Sequence, residues 1–556
     1  MSPSPKHPAD PKLTGTEEDE QTVTSNSYPD AVAGADLEKS LSKEEAEKPP
    51  LPSQTKLPTK IVILICASLC LSVLLAALDQ TIVTTALPRL ASEFDALSLY
   101  AWVGTAFQIT FTAFQPLYGS LSDIFGRKPT FLFCVVVFLA ASAVCGAANS
   151  MIMLIIFRAI QGIGGGGLFG LALIILADIT TPEEQGKYQG LIGAAFTVAS
   201  IIGPLLGGVF TDRLSWRWCF YVNLPIGAVA LLMIFFTLRL PSPKGSLLSK
   251  FKRIDFLGSL AIIALTVCLM LAISFGGNEF AWNSPVVIVL FIVGVLLIGV
   301  FVFVEWKFAA EPVLPLRLFK NRDYVVLSVV NFFFGIGFFL GFFYYSLYFQ
   351  LLGASATGSG LKTLPLSLVL IAVNIICGFA VSYTKKLRPF IWAGFVFMLL
   401  GAGLVTTFNE HTSDAMQIGY TVIVGFGLGF EVQNLLLATQ IAVEPKDIPV
   451  ATSSGMFFRT LGMSFGIAIG GALINNQITT SLAEIPNLSI EAVKNNLSYV
   501  ASLPPDVQAR VLQAYIGALQ WVFRGVLIMW GIAAVFVIFI RYRPLSKEAL
   551  EAKAEI

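Results

Sequence analysis

The sequence is poor in charged residues and in histidine, and both shortages restrict what the protein can be. Charged residues make up 13% of the 556 residues, against about 25% in soluble proteins, and the mean hydropathy is +0.76, which excludes a soluble protein. The two histidines, His7 and His411, lie in polar segments, and the seven cysteines show no spacing typical of a metal site. A phosphate-binding Gly-x-x-x-x-Gly-Lys-Ser/Thr sequence is missing. We therefore expect no enzyme, no ATP-driven pump, no cofactor and no nucleic-acid partner.

Long apolar runs are abundant instead, and 55% of the residues are hydrophobic. A helix needs about 20 apolar residues to cross a bilayer, and fourteen runs approach that length. We predict an all-α polytopic membrane protein with spans at about 61–88, 97–119, 129–149, 151–178, 188–211, 219–239, 255–275, 284–306, 325–350, 360–383, 389–408, 416–442, 450–474 and 524–541.

Two polar tails flank the predicted spans. Residues 1–57 are rich in Pro, Ser, Glu and Lys, a composition that predicts disorder, and residues 542–556 form a short second tail. With both tails in the cytoplasm, the connections and the C-terminal tail on that side hold twenty lysines and arginines, against five on the other side. This bias predicts cytoplasmic termini. It also places the loop 475–523 outside, with glycosylation sequons at Asn487 and Asn496.

The segment between the second and third predicted spans places one carboxylate and two cations in a tight turn, and we call it the clasp. Its glycines suit close helix contact or a positive φ angle, and its charges suit pairing with neighbouring helix ends. An ordinary basic loop would need the cations but neither the glycines nor the aspartate. The clasp residues are Gly119, Asp123, Gly126, Arg127 and Lys128.

Ionisable residues inside the spans are candidate functional groups. Asp79 lies about 18 residues into the first span, where an isolated ionised carboxylate costs roughly 2.5–3.5 kcal/mol, so we predict that it is protonated, partnered or hydrated. Arg158, Gln161 and Gly162 recur at helical spacing in the fourth span. We interpret them as a proton-relay or cavity face, with close helix packing or a snorkelling arginine as alternatives. Asp178, at the end of that helix, is a predicted partner for Arg127.

The second half of the chain offers a further set of candidates. Glu431 lies mid-span, with Asn434 three residues later, and a carboxylate at that depth is a functional candidate unless a neighbouring helix satisfies it. Arg459 lies about nine residues into its span and is predicted to pair with Glu431, to bind an anionic group or to snorkel. Asn331 and Phe338 belong to an aromatic-rich stretch that either lines an apolar pocket or faces lipid.

The fifth span contains Gly203-Pro204-Leu-Leu-Gly207-Gly208, in which the proline removes a backbone donor and the glycines permit a bend and close contact. Together with the stretches above, this run resembles the major facilitator superfamily, and within it the fourteen-span drug:proton antiporters. The clasp resembles the family's loop motif. The stretches around Asp79 and Arg158 resemble its first-span and fourth-span motifs. Residues 199–208 resemble its antiporter motif, with Ala199 where the pattern has Gly.

The resemblance covers about residues 60–545 and implies two six-helix bundles, 58–239 and 325–541, joined by two extra spans within 240–324. A central site would open alternately to each side. It also implies that the clasp stabilises the outward-facing state, that Asp79 carries the exchanged proton and that Arg158 lines the proton path. To these we add Glu431 as a further proton-coupling candidate. Candidate cavity residues are Gln161, Gly162, Asn331, Phe338, Asn434 and Arg459.

We therefore expect a proton-coupled secondary transporter, a monomer in the plasma membrane, that exports an apolar or amphiphilic small molecule such as a drug, toxin or secondary metabolite. Two alternatives stay open. A vacuolar carrier of basic amino acids shares these motifs, and a nutrient sensor shares the fold without transporting. The sequence does not identify the substrate, because specificity lies in the shape of an apolar cavity.

Overall fold

The computed structural model of the chain describes residues 58–94, 100–240, 243, 246–276, 280–309, 312–354, 356–482, 488 and 503–541. The predicted tails and the sequons at Asn487 and Asn496 lie outside these residues. Within the described ranges the regular structure is helical, apart from one isolated bridge between Gly276 and Phe280.

The helices follow one another along the chain with short connections. In the first half they are α1 (Thr59–Glu93), α2 (Tyr100–Phe114), α3 (Leu117–Phe125), α4 (Arg127–Gly146), α5 (Met151–Ile179), α6 (Pro182–Arg213), α7 (Trp218–Tyr221) and α8 (Asn223–Thr237). The middle contains α9 (Leu247–Lys252), α10 (Phe256–Phe275) and α11 (Pro285–Lys307). The second half contains α12 (Arg322–Leu351), α13 (Ala356–Thr384), α14 (Arg388–Val405), α15 (Asp414–Ala442), α16 (Ile448–Leu482) and α17 (Pro505–Ile538).

Among the described residues, thirteen helical segments are long and apolar enough to cross a membrane. The predicted span at 97–119 is not one of them, because it is divided into α2 and α3, which are 15 and 9 residues long. The break falls at Pro116, which has no backbone N–H to continue the helical hydrogen bonds. The two pieces together occupy the place of the second predicted span.

Both predicted bounds of the loop 475–523 are wrong, because α16 continues to Leu482 and α17 begins at Pro505. The buried residues of these extensions recur at helical spacing. In α17 they include Val511, Ala514, Tyr515, Ala518, Leu519 and Val522, and in α16 they include Ile478 and Leu482, which continue the spacing of Ile474. Polar residues between them hid this one-sided apolar pattern from a search for continuous apolar runs.

Two hydrophobic clusters form the main core, and each belongs largely to one half of the chain. The larger cluster is built from buried residues between Val326 and Val537. The second is built from residues between Val62 and Leu238, together with Leu436 and Met456 of the second half. Each half therefore packs around its own core. The two halves meet at an interface that we call the seam, where Leu436 and Met456 of the second half pack into the core of the first half.

The two extra helices lie at the edge of this arrangement. Trp102 of α2 meets Phe275 of α10 edge to face, with 5.5 Å between ring centroids, while most apolar side chains of α11 face outward. The connection after α11 is tied to the second half, because Arg317 Nη2 lies 2.6 Å from Asp447 Oδ1. The connection after α11 is thus fastened at the side where α3 meets α4, which we call the clasp end.

Close contacts between the two halves gather at the clasp end. A methyl group added at Gly119 of α3 would lie 2.6 Å from Ser453 Oγ of α16, and one at Gly378 of α13 would lie 2.4 Å from the carbonyl oxygen of Gly186 in α6. Gln189 Nε2 of α6 also donates to Gln440 Oε1 of α15 at 2.8 Å. The structure is therefore closed at the clasp end, with glycines permitting backbone contact across the seam.

Candidate functional site

A buried ion pair joins α1 to α5 inside the first half. Asp79 and Arg158 are 0% and 1% exposed, and Arg158 Nη1 lies 2.5 Å from Asp79 Oδ2. The other carboxylate oxygen accepts hydrogen bonds from Gln161 Nε2 at 2.8 Å and from Asn223 Nδ2 at 2.9 Å. Three donors therefore satisfy both oxygen atoms of this buried carboxylate. Of the sequence alternatives for Asp79, the structure shows the partnered one.

Arg158 is held from several sides, so it does not snorkel to the surface. Its Nε donates to the carbonyl oxygen of Val103 at 3.1 Å, and its Nη1 donates to Gln161 Oε1 at 2.9 Å. The guanidinium carbon lies 4.3 Å from the ring centroid of Phe107. A cation over an aromatic face is stabilised further when it is withdrawn from water.

Asn223 and Ser142 complete this site, and the sequence reasoning missed both. Asn223 begins α8, just after the break at Val222, and its Nδ2 donates to Asp79 Oδ1 and to Ser142 Oγ at 3.0 Å. The signal available in the sequence was an asparagine inside an apolar run, next to Pro225. A buried amide needs partners, but its partner lies 144 residues away along the chain.

Two of the predicted glycines allow helices to approach this site closely. A methyl group at Gly203 of α6 would lie 2.0 Å from Thr81 Oγ1, two residues beyond Asp79. One at Gly162 of α5 would lie 2.3 Å from the carbonyl oxygen of Phe107 in α2. The predicted antiporter run thus packs directly on the first span beside the carboxylate.

The remaining residues of that run have different surroundings. α6 continues as a helix through Pro204. Gly207 is buried, and its carbonyl oxygen accepts a hydrogen bond from Thr211 Oγ1 at 2.6 Å. A methyl group at Gly208 would meet no atom within 4 Å. Close packing therefore requires glycine at Gly203 and not at Gly208.

The clasp lies in the turn between α3 and α4, where Gly126 joins the helices with φ 101° and ψ 151°. Arg127 Nη1 lies 2.6 Å from Asp123 Oδ1, and Arg127 Nε lies 2.7 Å from Asp178 Oδ2 at the end of α5. Arg127 Nη1 also donates to Ser122 Oγ at 2.7 Å. Arg127 and Asp178 thus form the contact that the sequence predicted. Their effect on the transport cycle stays a prediction.

The other cation of the clasp reaches a different helix. Lys128 Nζ donates to the carbonyl oxygen of Phe235 in α8 at 2.6 Å and lies 4.9 Å from the centroid of its ring. The two cations of the clasp therefore fasten the α3–α4 turn to the ends of α5 and α8.

Gly126→Ala is expected to destabilise the protein by about 1–3 kcal/mol, because its φ and ψ angles lie in a region open almost only to glycine. Thermal unfolding in detergent measures this effect. Gly360→Ala is the control, since a methyl group there meets no atom within 4 Å. Equal unfolding temperatures for the two variants would contradict the prediction.

Glu431 is fully buried in α15, and its carboxyl group points towards α14. A methyl group at Gly394 would lie 2.3 Å from Glu431 Oε1, and neither carboxyl oxygen accepts a hydrogen bond from a described residue. Burying an ionised carboxylate without a partner costs several kcal/mol, so this geometry fits the neutral acid. The proposed pairing with Arg459 does not occur in this structure, since no ion pair joins the two among the described residues.

Arg459 of α16 instead binds neutral oxygen atoms of two other helices. Its Nε and Nη2 donate to Asn331 Oδ1 of α12 at 3.1 and 2.8 Å, and its Nη1 donates to the carbonyl oxygen of Val432 in α15 at 2.6 Å. Its guanidinium carbon lies 5.2 Å from the ring centroid of Phe334. The arginine is 5% exposed, so it does not snorkel. Arg459 and Asn331, both candidate cavity residues of the sequence analysis, are therefore in direct contact.

Asn434 and Phe338 do not join the Arg459 site through direct contacts. Asn434 Nδ2 donates to the carbonyl oxygen of Phe430 at 2.6 Å and to Cys377 Sγ at 3.1 Å. Phe338 is partly buried and stacks on Phe342, with 6.1 Å between centroids and 5° between the planes. The amide therefore satisfies itself locally, whereas the aromatic pair adds to an apolar face.

The family description Major Facilitator Superfamily matches residues 69–467. The chain is 37% identical over 435 residues to the "MFS-type efflux pump MFS1" of Trichophyton rubrum, covering 77% of this chain and 81% of that one. It is 35% identical over 522 residues to the "Multidrug transporter protein MdtP" of Bacillus subtilis, covering 88% and 95%. It is 31% identical over 546 residues to the "Efflux pump FUS6" of Gibberella moniliformis, covering 95% of each chain.

Solved structures share the fold at low sequence identity. The proton:xylose symporter XylE superposes with a TM-score of 0.58 at 16% identity, covering 89% of this chain and 100% of that one. At that identity the likeness concerns the helix arrangement alone.

Proposed function

This chain belongs to the major facilitator superfamily and is a multi-pass membrane transporter that exports small molecules, and from that premise we propose that protons drive the export through Asp79. The observation that carries the proposal is the buried ion pair of Asp79 with Arg158, whose oxygen and nitrogen atoms are 2.5 Å apart. An ionisable group inside a membrane protein marks an ion or substrate pathway by default. Here it is also the meeting point of α1, α5 and α8.

Protonation of Asp79 changes the forces between these helices. In the ionised form the carboxylate accepts charge-assisted hydrogen bonds, which are about twice as strong as neutral ones. An added proton removes the negative charge and leaves Arg158 facing a neutral acid. The free energy of the α1–α5 contact therefore depends on protonation. A substrate that favours the ionised form competes with the proton.

The clasp end provides the second element of the cycle. Arg127, bound to Asp123 and Asp178, holds the turn beside the contact of Gly119 with Ser453. We infer that this end is cytoplasmic, that both termini lie there, and that the structure represents the outward-facing state. The positive-inside bias of the connections supports this orientation, and the plasma membrane is the proposed location.

The proposed cargo is an apolar or amphiphilic drug, toxin or secondary metabolite. The names of relatives as efflux pumps and as a multidrug transporter support this class. Both surfaces that meet at the seam belong to one chain. We therefore propose that the protein transports its substrate as a monomer.

Purified protein in liposomes tests the coupling. The probe is 11-(dansylamino)undecanoic acid, with its amide and the corresponding amine as further members of the set. We expect an acidic lumen to increase the uptake of at least one of these three probes about tenfold. This is the factor that corresponds to a driving force of about 1.4 kcal/mol. A protonophore should abolish the acceleration. Uptake that ignores the pH difference for every member would overturn proton coupling.

A further inference from the structure

In the part of the chain that the structure describes, one buried arginine lies in each half, and the two differ in their partners. Arg158 has a carboxylate 2.5 Å away. Arg459 is held by the amide oxygen of Asn331 and by the carbonyl oxygen of Val432. The two sites share a pattern, a guanidinium that bridges neighbouring helices, but an amide takes the place of the carboxylate in the second half. Among the described residues, the hydrogen-bond partners of the Arg459 guanidinium are therefore neutral oxygen atoms.

Glu431 is the nearest candidate for a counter-ion, and its orientation argues against that role. Its carboxyl group packs against Gly394 of α14, whereas Arg459 reaches the neighbouring Val432 from the side of α12 and α16. An uncompensated buried charge is costly. Membrane proteins retain such arginines where they serve a substrate or ion pathway.

Arg459 also lies where the two halves meet. Met456, one helical turn earlier on the same face of α16, packs into the core of the first half. Ser453, a further turn back, donates to the carbonyl oxygen of Pro116 at 3.4 Å. Arg459 is eleven residues from the start of α16, or about 16 Å along the helix. It therefore lies near mid-membrane, just beyond the seam contacts of the clasp end.

Two amides at the same depth carry oxygen atoms that accept no hydrogen bond from a described residue. They are Asn374 Oδ1 and Gln433 Oε1, and both side chains are more than nine-tenths buried. A methyl group at Gly193 of α6 would lie 3.2 Å from Asn374 Oδ1 and 2.7 Å from Gln433 Nε2, so both amides line the seam. A buried acceptor without a donor costs about 1–3 kcal/mol. A ligand with hydroxyl groups would satisfy these oxygens.

We propose that Arg459 is the anion-binding residue of the transport site and that the exported molecule is an apolar weak acid, carried as its anion. The proposal deepens the export function and rests on it. Three hydrogen bonds occupy three of the five N–H groups of Arg459, which leaves donors for a carboxylate or an acidic phenol. The ring of Phe334 on α12, 5.2 Å from the guanidinium carbon, adds an apolar surface beside these donors.

Equilibrium binding in detergent tests this assignment without any pH gradient. The probes are the dansylated undecanoic acid, its amide and the corresponding amine, which share one body and differ in an end group that is anionic, neutral or cationic. We expect the acid to bind at least about tenfold more tightly than the amide, and the amine most weakly. Equal affinities for acid and amide, or a preference for the amine, would overturn the proposal. Proton coupling is not involved in this measurement, so the two proposals fail separately.

Variants then locate the preference. Arg459→Gln is expected to weaken binding of the acid about tenfold and to change binding of the amide less than about twofold. Arg459→Lys keeps the charge and should keep the preference. Arg524→Gln is the control, because Arg524 is exposed on α17, and its affinities should equal those of the parent. If Arg459→Gln weakens acid and amide alike, the anion site is not at Arg459.

Glu431→Gln separates the proposal from its rival, a counter-ion role for Glu431. With Glu431 neutral, as proposed, this variant should bind the acid within about twofold of the parent. Binding of the acid that becomes tenfold tighter would show that Glu431 had balanced Arg459, and the proposal would fall.

Discussion

Asp79→Asn is expected to abolish pH-driven transport while leaving a folded protein that still exchanges substrate across the membrane. Asparagine has nearly the shape of aspartate, and its amide oxygen can still accept the hydrogen bond from Arg158. Its NH2 group then replaces the oxygen that accepts from Gln161 and Asn223. Asparagine cannot bind or release a proton between pH 4 and 9. The substitution therefore removes the titration while retaining most of the packing at a site that is 0% exposed.

Two measurements in liposomes distinguish these effects. Uptake of the dansylated probe into an acidic lumen should fall to the level of protein-free liposomes, because no group remains that couples the gradient to α1. Counterflow, in which internal unlabelled probe exchanges for external labelled probe at equal pH, should persist, since it requires only alternating access. Loss of counterflow as well would indicate a damaged fold rather than a missing proton site.

A matched control tests whether any carboxylate would give the same result. Asp414 is 72% exposed at the start of α15 and pairs with Lys362 Nζ at 2.7 Å. A surface pair of this kind contributes at most about 1 kcal/mol, so Asp414→Asn should transport like the parent. If Asp79→Asn accumulates probe as well as Asp414→Asn does, proton exchange at Asp79 is refuted.

The helical architecture was predictable because the membrane makes hydropathy a strong constraint. Apolar runs located the long helices, and the spacing of charges at one turn predicted the contact of Arg127 with Asp178. The exceptions have physical causes. Pro116 divides a run that is continuous by hydropathy, and the first four turns of α17 have only one apolar face, with buried residues such as Val511 and Tyr515.

The partners of the buried polar residues were less predictable. Asp79 was recognised as a candidate, but its hydrogen bond from Asn223, and the bond from Asn223 to Ser142, depend on how α1, α4 and α8 pack, which local sequence does not specify. The same holds for Arg459, which binds an amide of α12 rather than the carboxyl group of Glu431, the residue nearer to it along the chain. Hydrogen bonds between helices are satisfied by whichever partner the tertiary packing brings close, so sequence spacing predicts candidates and not pairs.

Gly119→Leu is expected to prevent closure at the clasp end and to reduce transport about 100-fold. Even a methyl group at this position would lie 2.9 Å from the Pro449 carbonyl oxygen and 2.9 Å from Val450 Cα, so the obstacle is backbone that cannot rotate away. Overpacking of this kind costs about 1–3 kcal/mol, and 3 kcal/mol shifts a two-state equilibrium by about 100-fold. The cost exists only while α3 and α16 touch, so the state with the clasp end open is favoured.

Distances between spin labels measure this shift. Labels at Glu184→Cys in α6 and Tyr383→Cys in α13 lie at exposed positions near the clasp end of each half, and the native cysteines are buried or partly buried. In the parent the short distance should dominate, and in Gly119→Leu a distance longer by several ångströms should replace it. Gly104→Leu in α2 is the control, because a methyl group there meets no atom within 4 Å. A short distance that persists in Gly119→Leu would mean that this contact does not govern closure, and the glycine of the clasp would then serve helix packing alone.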